Sequence, residues 1–194
     1  MRVITGSRLQ AVLRGIPGVP RVMVSGNFAT PWAALSLLDA AISDYRLFAL
    51  NAQVGMPDRD GVTLESPFIG PGMRGSQRLR YFPNRLSLVP DLLKEILAPD
   101  VVLLHTTVPA DGTVSLGVEV NVLPAAIEAA RARGGLVVAQ LNPRMPYTYG
   151  DAVLPHSEID FAIEVDAPLP SPQPRPTAEV FERIGEQVAA LVPE

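Results

Sequence analysis

The chain repeats one pattern: a strand-length apolar run, a turn of small polar residues, then apolar residues at helical spacing. Asp100 to Thr106 (Asp-Val-Val-Leu-Leu-His-Thr) is the clearest instance and predicts a buried strand. Arg21 to Ser25, Arg46 to Leu50 and Leu136 to Leu141 read the same way. Between them, Pro31 opens a helix through about Ser43, with Leu35, Leu38 and Ile42 at helical spacing. Asp91 to Leu97 forms a second helix, begun at Pro90 and stopped by Pro99. Asn121 to Arg133 is a third, ended by Gly134-Gly135. Glu158 to Asp166 sets Ile159, Phe161, Ile163 and Val165 against Asp160, Ala162, Glu164 and Asp166, which predicts a half-buried strand. This alternation predicts an α/β domain with an open, mostly parallel sheet flanked by helices. The right-handed crossover rule limits its topologies. Asp111-Gly112 marks a tight turn into Val114-Ser115-Leu116, expected as a small hairpin. Gly55 to Asn84 reads as a long irregular excursion, a kind of segment that compact domains keep for a functional reason.

Proline interrupts the pattern at one place. The chain has 20 prolines in 194 residues, about twice the usual share of roughly 5%. Five of them, Pro168, Pro170, Pro172, Pro174 and Pro176, occupy every second position, so this segment is expected to be a polyproline II linker. Beyond it, Thr177 is expected to cap an amphipathic helix through Val192 with Phe181, Ile184, Val188 and Leu191 on one face. The expected organisation is an α/β domain over residues 1–167, a linker over 168–176, and a helix over 177–194. An apolar helical face needs a partner, and this one is expected to lead into a further domain.

Composition removes several functional classes. Sixteen basic and twenty acidic residues give a net charge of −4, which argues against a module for duplex nucleic acid. Lys94, the sole lysine, sits in Leu-Leu-Lys-Glu and not in a Gly-Lys-Ser/Thr loop, so P-loop phosphoryl transfer is excluded. The absence of cysteine removes disulfides, a thiolate nucleophile and a cysteine metal site. His105 and His156 lie far apart in sequence, so no histidine metal site is expected. No signal peptide is visible, and no apolar run approaches the roughly 20 residues that span a bilayer. A soluble cytoplasmic protein is the expectation.

Open parallel sheets bind ligands beyond the carboxyl ends of their strands. Here three such ends are polar: Ser25-Gly26-Asn27-Phe28-Ala29-Thr30-Pro31, Thr106-Thr107-Val108-Pro109, and Asn142-Pro143-Arg144-Met145-Pro146-Tyr147-Thr148. They describe either a site built from backbone amides, hydroxyls and carboxamides, or ordinary βα turns. Gly26 before a helix N-terminus is a candidate anion site. Gly112-Thr113-Val114-Ser115-Leu116-Gly117 is one residue off the Gly-x-Ser-x-Gly elbow of serine hydrolases and does not support one. His105, inside an apolar run, reads as a core histidine. Glu158, Asp160, Glu164 and Asp166 are either general acid–base candidates or a solvated strand face. Arg74, Arg78, Arg80 and Arg85 suit phosphates or a nucleotide tail, or are simply exposed.

Four blocks go beyond this reading. They are Val24 to Pro31, the arginine-containing loop through Tyr81-Phe82-Pro83, Pro109 to Gly117, and Asn142 to Pro146 with Gly150-Asp151 and Ser157-Glu158-Ile159-Asp160. In this order and spacing the whole chain resembles the N-terminal half of the acetyl-CoA hydrolase/transferase family, which includes 4-hydroxybutyrate and acetate CoA-transferases. The first block is more similar to the hydrolase-like branch than to butyrate-type transferases. The resemblance implies a CoA-transferase-like fold of two related α/β domains with the active site between them. It also implies covalent catalysis through a glutamyl-CoA thioester, with the glutamate in a C-terminal domain beyond Glu194. No acid in this chain matches that nucleophile, so no catalytic residue is assigned. By matching motifs, Ser25, Gly26, Asn27 and Thr30 would face the acyl group or the CoA arm, and Asn142, Met145 and Pro146 would close the opposite rim. Coenzyme A would be substrate and product, with water or a carboxylate as acceptor and no metal. The chain would be inactive alone, and a homodimer would use the exposed half-cleft. The alternative is a free-standing module that binds CoA or another nucleotide without turnover.

Overall fold

A computed structural model describes residues 1–171 and 177–192. Its ten strands are β1 (Arg2–Val3), β2 (Arg21–Val24), β3 (Tyr45–Phe48), β4 (Val62–Ser66), β5 (Leu79–Tyr81), β6 (Val101–Thr106), β7 (Thr113–Ser115), β8 (Leu136–Leu141), β9 (Val153–Pro155) and β10 (Phe161–Glu164). The helices are α1 (Gly6–Arg14), α2 (Trp32–Asp39), α3 (Val89–Glu95), α4 (Leu123–Arg131) and α5 (Glu179–Ala189). Eight strands form one sheet in the order β1-β10-β8-β6-β2-β3-β4-β5, with every neighbouring pair parallel. β7 and β9 form a separate antiparallel pair.

Helices cover both faces, which explains the unbroken apolar runs. Val101 and Leu103 of β6 pack with Leu9, Leu13, Leu35 and Leu38 of α1 and α2. Val102 and Leu104 pack with Leu93, Leu123 and Ile127 of α3 and α4. Each such side chain contributes about 1.5–3 kcal/mol when fully buried, so a strand buried on both faces has no position for a solvated residue. The same logic corrects the alternation expected around β10, where Ala162 and Ile163 are both buried.

Several expected boundaries move. The excursion over 55–84 contains β4 and β5, which extend the sheet past β3. The first twenty residues supply β1 and α1. α2 stops at Asp39, where Arg59 donates to the Asp39 and Ile42 carbonyls at 3.0 and 2.9 Å and occupies acceptors a helix end leaves open. The Asp111-Gly112 turn forms as expected, with both residues at positive φ and Ala110 and Thr113 exchanging backbone bonds of 2.8 and 2.9 Å. Its strand β7 then pairs with β9 and not with a hairpin partner. Of the expected linker, residues 172–176 lie outside the described residues, as do 193–194. α5 begins at Glu179 with Ala178 in the N-cap position and no side-chain cap, so Thr177 does not cap it. Its Phe181, Ile184, Val188 and Leu191 are exposed.

The amino ends of the strands are held by charge. Asp100 Oδ2 accepts the Arg21 N–H at 2.7 Å. Asp160 Oδ2 accepts from the Val137 N–H at 2.9 Å and from Arg131 Nη1 at 2.8 Å. Asp160 therefore ties strand starts together and does not lie on a solvated strand face. Asp39 accepts the Tyr45 hydroxyl at 2.8 Å, and burial together with that carboxylate pushes the phenol far above its ordinary pKa.

From β2 the chain passes through α2 to β3 on one side, then returns through α3 to β6 on the other. The carboxyl ends of β2 and β6 thus flank the point where the strand order reverses, where open sheets of this kind form their crevice.

Candidate functional site

The turn leaving β2 lies against the segment leaving β3. A β-carbon on Gly26 would fall 1.9 Å from the Leu50 carbonyl oxygen, so only glycine allows this approach. Beside it, Asn27, Asn51 and Asn121 have φ of +45°, +46° and +39°. Short carboxamides tolerate this left-handed backbone better than other side chains do. Two of them meet at Glu119, which is buried: Asn27 Nδ2 donates to Oε2 at 2.7 Å and Asn121 Nδ2 donates to Oε1 at 3.1 Å, while Asn51 Nδ2 donates to Asn27 Oδ1. Ser25 is buried as well, and its hydroxyl has no hydrogen-bond partner among the described residues.

A second network joins β6 to β8. The parallel register sets His105 opposite Gln140, and Asn142 follows at the exit of β8. Gln140 Oε1 accepts the N–H groups of Ala33 and Ala34 at 2.9 and 3.2 Å. The first turn of α2 is therefore capped by a carboxamide from the neighbouring strand, and those two donors are not open to the anion expected after Gly26. Gln140 Nε2 and Asn142 Nδ2 lie 3.3 and 3.1 Å from His105 Nε2. His105 Nδ1 is buried and has no hydrogen-bond partner among the described residues. Burial lowers the pKa of this imidazole below its ordinary value, and the Thr30 and Ala29 backbone opposes that shift only in part. His105 is the core histidine expected, placed directly beneath the candidate site.

The third rim is held by hydroxyls. Ser115 Oγ accepts the Gly117 and Thr148 N–H groups at 3.1 and 3.0 Å, and Thr107 Oγ1 accepts the Ser115 N–H at 2.9 Å. Met145 is buried against Gly117, while Pro146 is exposed. Ser25, Gly26, Asn27 and Thr30 thus lie in the turn leaving β2, Asn142 and Met145 in the turn leaving β8, and Pro146 is exposed beside them. Thr30 is buried with its hydroxyl 3.4 Å from the Asn27 carbonyl. Sequence reasoning missed Glu119, Asn51 and Gln140. Gln140 did leave a signal, as the one polar residue of Leu-Val-Val-Ala-Gln-Leu. Of the loop arginines, Arg78 pairs with Asp58 and Asp60, and Arg74, Arg80 and Arg85 are exposed. Among the described residues no three His, Asp or Glu side chains converge to hold a metal, and no helix is long and apolar enough to cross a membrane.

Exposed apolar side chains accompany these polar turns. Phe28, Val54, Phe68, Val108, Val118 and Tyr149 are exposed and follow β2, β3, β4, β6, β7 and β8 in turn. The carboxyl edge of the sheet therefore combines buried polar groups, Glu119 among them, with exposed apolar residues, a composition suited to a ligand or a second protein surface.

The acetyl-CoA hydrolase/transferase N-terminal domain matches this sequence over residues 37–172. The chain is 37% identical over 119 residues to 4-hydroxybutyrate coenzyme A transferase of Clostridium kluyveri, covering 60% of this chain and 27% of that protein. It is 30% identical over 181 residues to succinyl-CoA:acetate/propanoyl-CoA:succinate CoA transferase of Fasciola hepatica, covering 87% of this chain and 37% of that protein. The crystal structure of RipA from Yersinia pestis superimposes on all of this chain with a TM-score of 0.82 at 21% identity, using 49% of that structure. The chain thus spans between about a quarter and a half of these relatives.

Proposed function

The chain belongs to the acetyl-CoA hydrolase/transferase family, and from that premise we propose that it forms one wall of an acyl-CoA cleft. Residues 1–167 would build the wall, 168–176 would connect, and 177–194 would lead into a second domain that carries a catalytic glutamate. That carboxylate would attack the acyl carbonyl carbon and expel the CoA thiolate, leaving a mixed anhydride. The thiolate would then attack the glutamyl carbonyl, release the acyl group as a carboxylate and leave a glutamyl-CoA thioester. Water would hydrolyse this thioester, or an incoming carboxylate would take the CoA. In this wall Ser25, Gly26, Asn27 and Thr30 would face the acyl group or the CoA arm, and Asn142, Met145 and Pro146 would close the opposite rim. The observation that carries the reading is the carboxyl edge itself, where buried carboxamides and hydroxyls, with Glu119 beneath Asn27, stand beside exposed apolar residues that follow the strands. A thioester with an uncharged acyl end suits such a lining.

The test has two arms. This 194-residue chain alone should release no thiol from acetyl-CoA. The native protein, denatured after incubation with acetyl-CoA, should carry a CoA-sized mass adduct on a peptide outside residues 1–194. Robust thiol release by this chain, or an adduct within it, would overturn the reading. Stoichiometric CoA binding with no adduct and no turnover would favour the binding module instead.

A further inference from the structure

The two walls of the site meet at one side chain. His105 Nε2 faces two carboxamide nitrogens, and both are fixed from their far ends. Gln140 Oε1 is committed to the Ala33 and Ala34 N–H groups, which turns its NH2 toward the ring. Asn142 Oδ1 accepts the Arg144 N–H at 3.1 Å, and Asn142 Nδ2 donates to the Ala167 carbonyl at 2.8 Å, leaving its second hydrogen for the ring. Two donors aimed at Nε2 require it to be an acceptor, so the imidazole is neutral with its proton on Nδ1.

We propose that His105 is a positioning residue that holds both walls in register through Gln140 and Asn142, and that its protonation releases them together. A proton on Nε2 would point at two N–H2 groups. Relief requires a carboxamide to turn over and accept that proton, and the other then loses its acceptor on the ring. If Gln140 turns, it loses the first turn of α2, directly after Ser25–Thr30. If Asn142 turns, it loses the Arg144 N–H and the Ala167 carbonyl, which shape the turn carrying Met145. Neither amide has a spare end, so the arrangement has two states and no graded intermediate. The groups facing the ring are Gln140 of β8, Asn142 just after it, and the Ala29 and Thr30 backbone from the β2–α2 connection. No charged side chain is among the influences on it. What the walls enclose rests on the acyl-CoA reading; their coupling does not.

The experiment follows the His105 ring and backbone amide exchange by NMR on the whole chain, from neutral pH down through the ordinary imidazole value of about 6.5. Protonation of the ring should coincide with about a tenfold loss of protection at Ala33 and Ala34, the effect of losing a helix cap. A shift at Arg144 should accompany it, while Val102 and Leu104 keep their protection. Ring titration with Ala33 and Ala34 unchanged would overturn the proposal. So would loss of Ala33 and Ala34 together with the β6 ladder, or a ring that stays neutral until global unfolding. Gln140→Glu supplies a second reading, because a carboxylate accepts from the α2 N–H groups and from a protonated ring at once. His105 in that variant should titrate at higher pH than in the wild type, with Ala33 and Ala34 still protected. A Gln140→Glu ring that titrates as the wild type does would also count against the coupling. Acetyl-CoA added to the wild type at neutral pH separates the two proposals. No shift at Ser25–Thr30 or Asn142–Met145 would count against the acyl-CoA reading and leave the amide result standing.

Discussion

The two edges of the central sheet solve the same problem with different chemistry. At the amino edge, backbone groups are closed by ionised side chains: Asp100 on the Arg21 N–H, Asp160 on the Val137 N–H, and Arg59 on the carbonyls that end α2. At the carboxyl edge the same work falls to Gln140, Asn142, Ser115 and Thr107, while Asn27, Asn51 and Glu119 bond one another through their side chains. A charged partner makes a stronger hydrogen bond but fixes the local field. Carboxamides and hydroxyls hold their partners without adding a charge to that field. The amino edge is thus built for stability. Among the described residues, the carboxyl edge keeps an unpartnered hydroxyl on Ser25 and a neutral histidine below it.

Substitutions can break or sharpen this contrast. The largest effect should come from Gly26→Ala, whose methyl group would overlap the Leu50 carbonyl; we expect a loss of about 3 kcal/mol in urea unfolding. A loss well under a third of that would mean the two exit segments are free to part. Asp160→Ala should cost about 2 kcal/mol by leaving the Val137 N–H without its charged partner. Amide spectra of the carboxyl edge should not change in that variant, and changes at Asn27 or Asn142 would show that the edges are coupled. The acid response comes next. The folded-state pKa of His105 lies below its unfolded value of about 6.5, so the unfolded chain binds the proton more readily. Stability is therefore complete above that value and declines as pH falls below it. His105→Gln should flatten this slope in unfolding curves taken across the interval; an unchanged slope would assign it to other groups. Smallest is Arg78→Ala, whose ion pairs with Asp58 and Asp60 are solvent-exposed; no measurable change in unfolding midpoint is expected.

Some of this was legible in the sequence. Leu136–Leu141 is a strand with the bounds expected, and the runs at Arg21, Tyr45 and Val101 differ by a residue or two, because burial on both faces leaves an unbroken apolar signal. β4 and β5 were hidden. Val-Thr-Leu-Glu-Ser carries a buried glutamate neutralised by Arg21 at 2.7 Å, and three residues of β5 carry no period at all. At the site, the polar turns were visible because they follow strands. Their connections were not, because Gln140 meets His105 only through strand register, and Glu119 meets Asn27 across 92 positions of sequence. Left-handed asparagines also look like ordinary turn residues until the backbone is seen.

The outermost strand has a consequence for how the molecule is made. Arg2 and Val3 pair with Phe161 and Ala162, so β1 waits for a partner strand that lies about 160 positions later in the sequence. At about 5–20 residues per second, their partner leaves the ribosome on the order of ten seconds later. During that interval β2, β3, β4 and β5 can assemble outward from β2, each beside the one before, while the other half of the sheet has no template until β6 arrives. The order of the strands is therefore also a timetable, in which the β1–β10 pair is the last that can form.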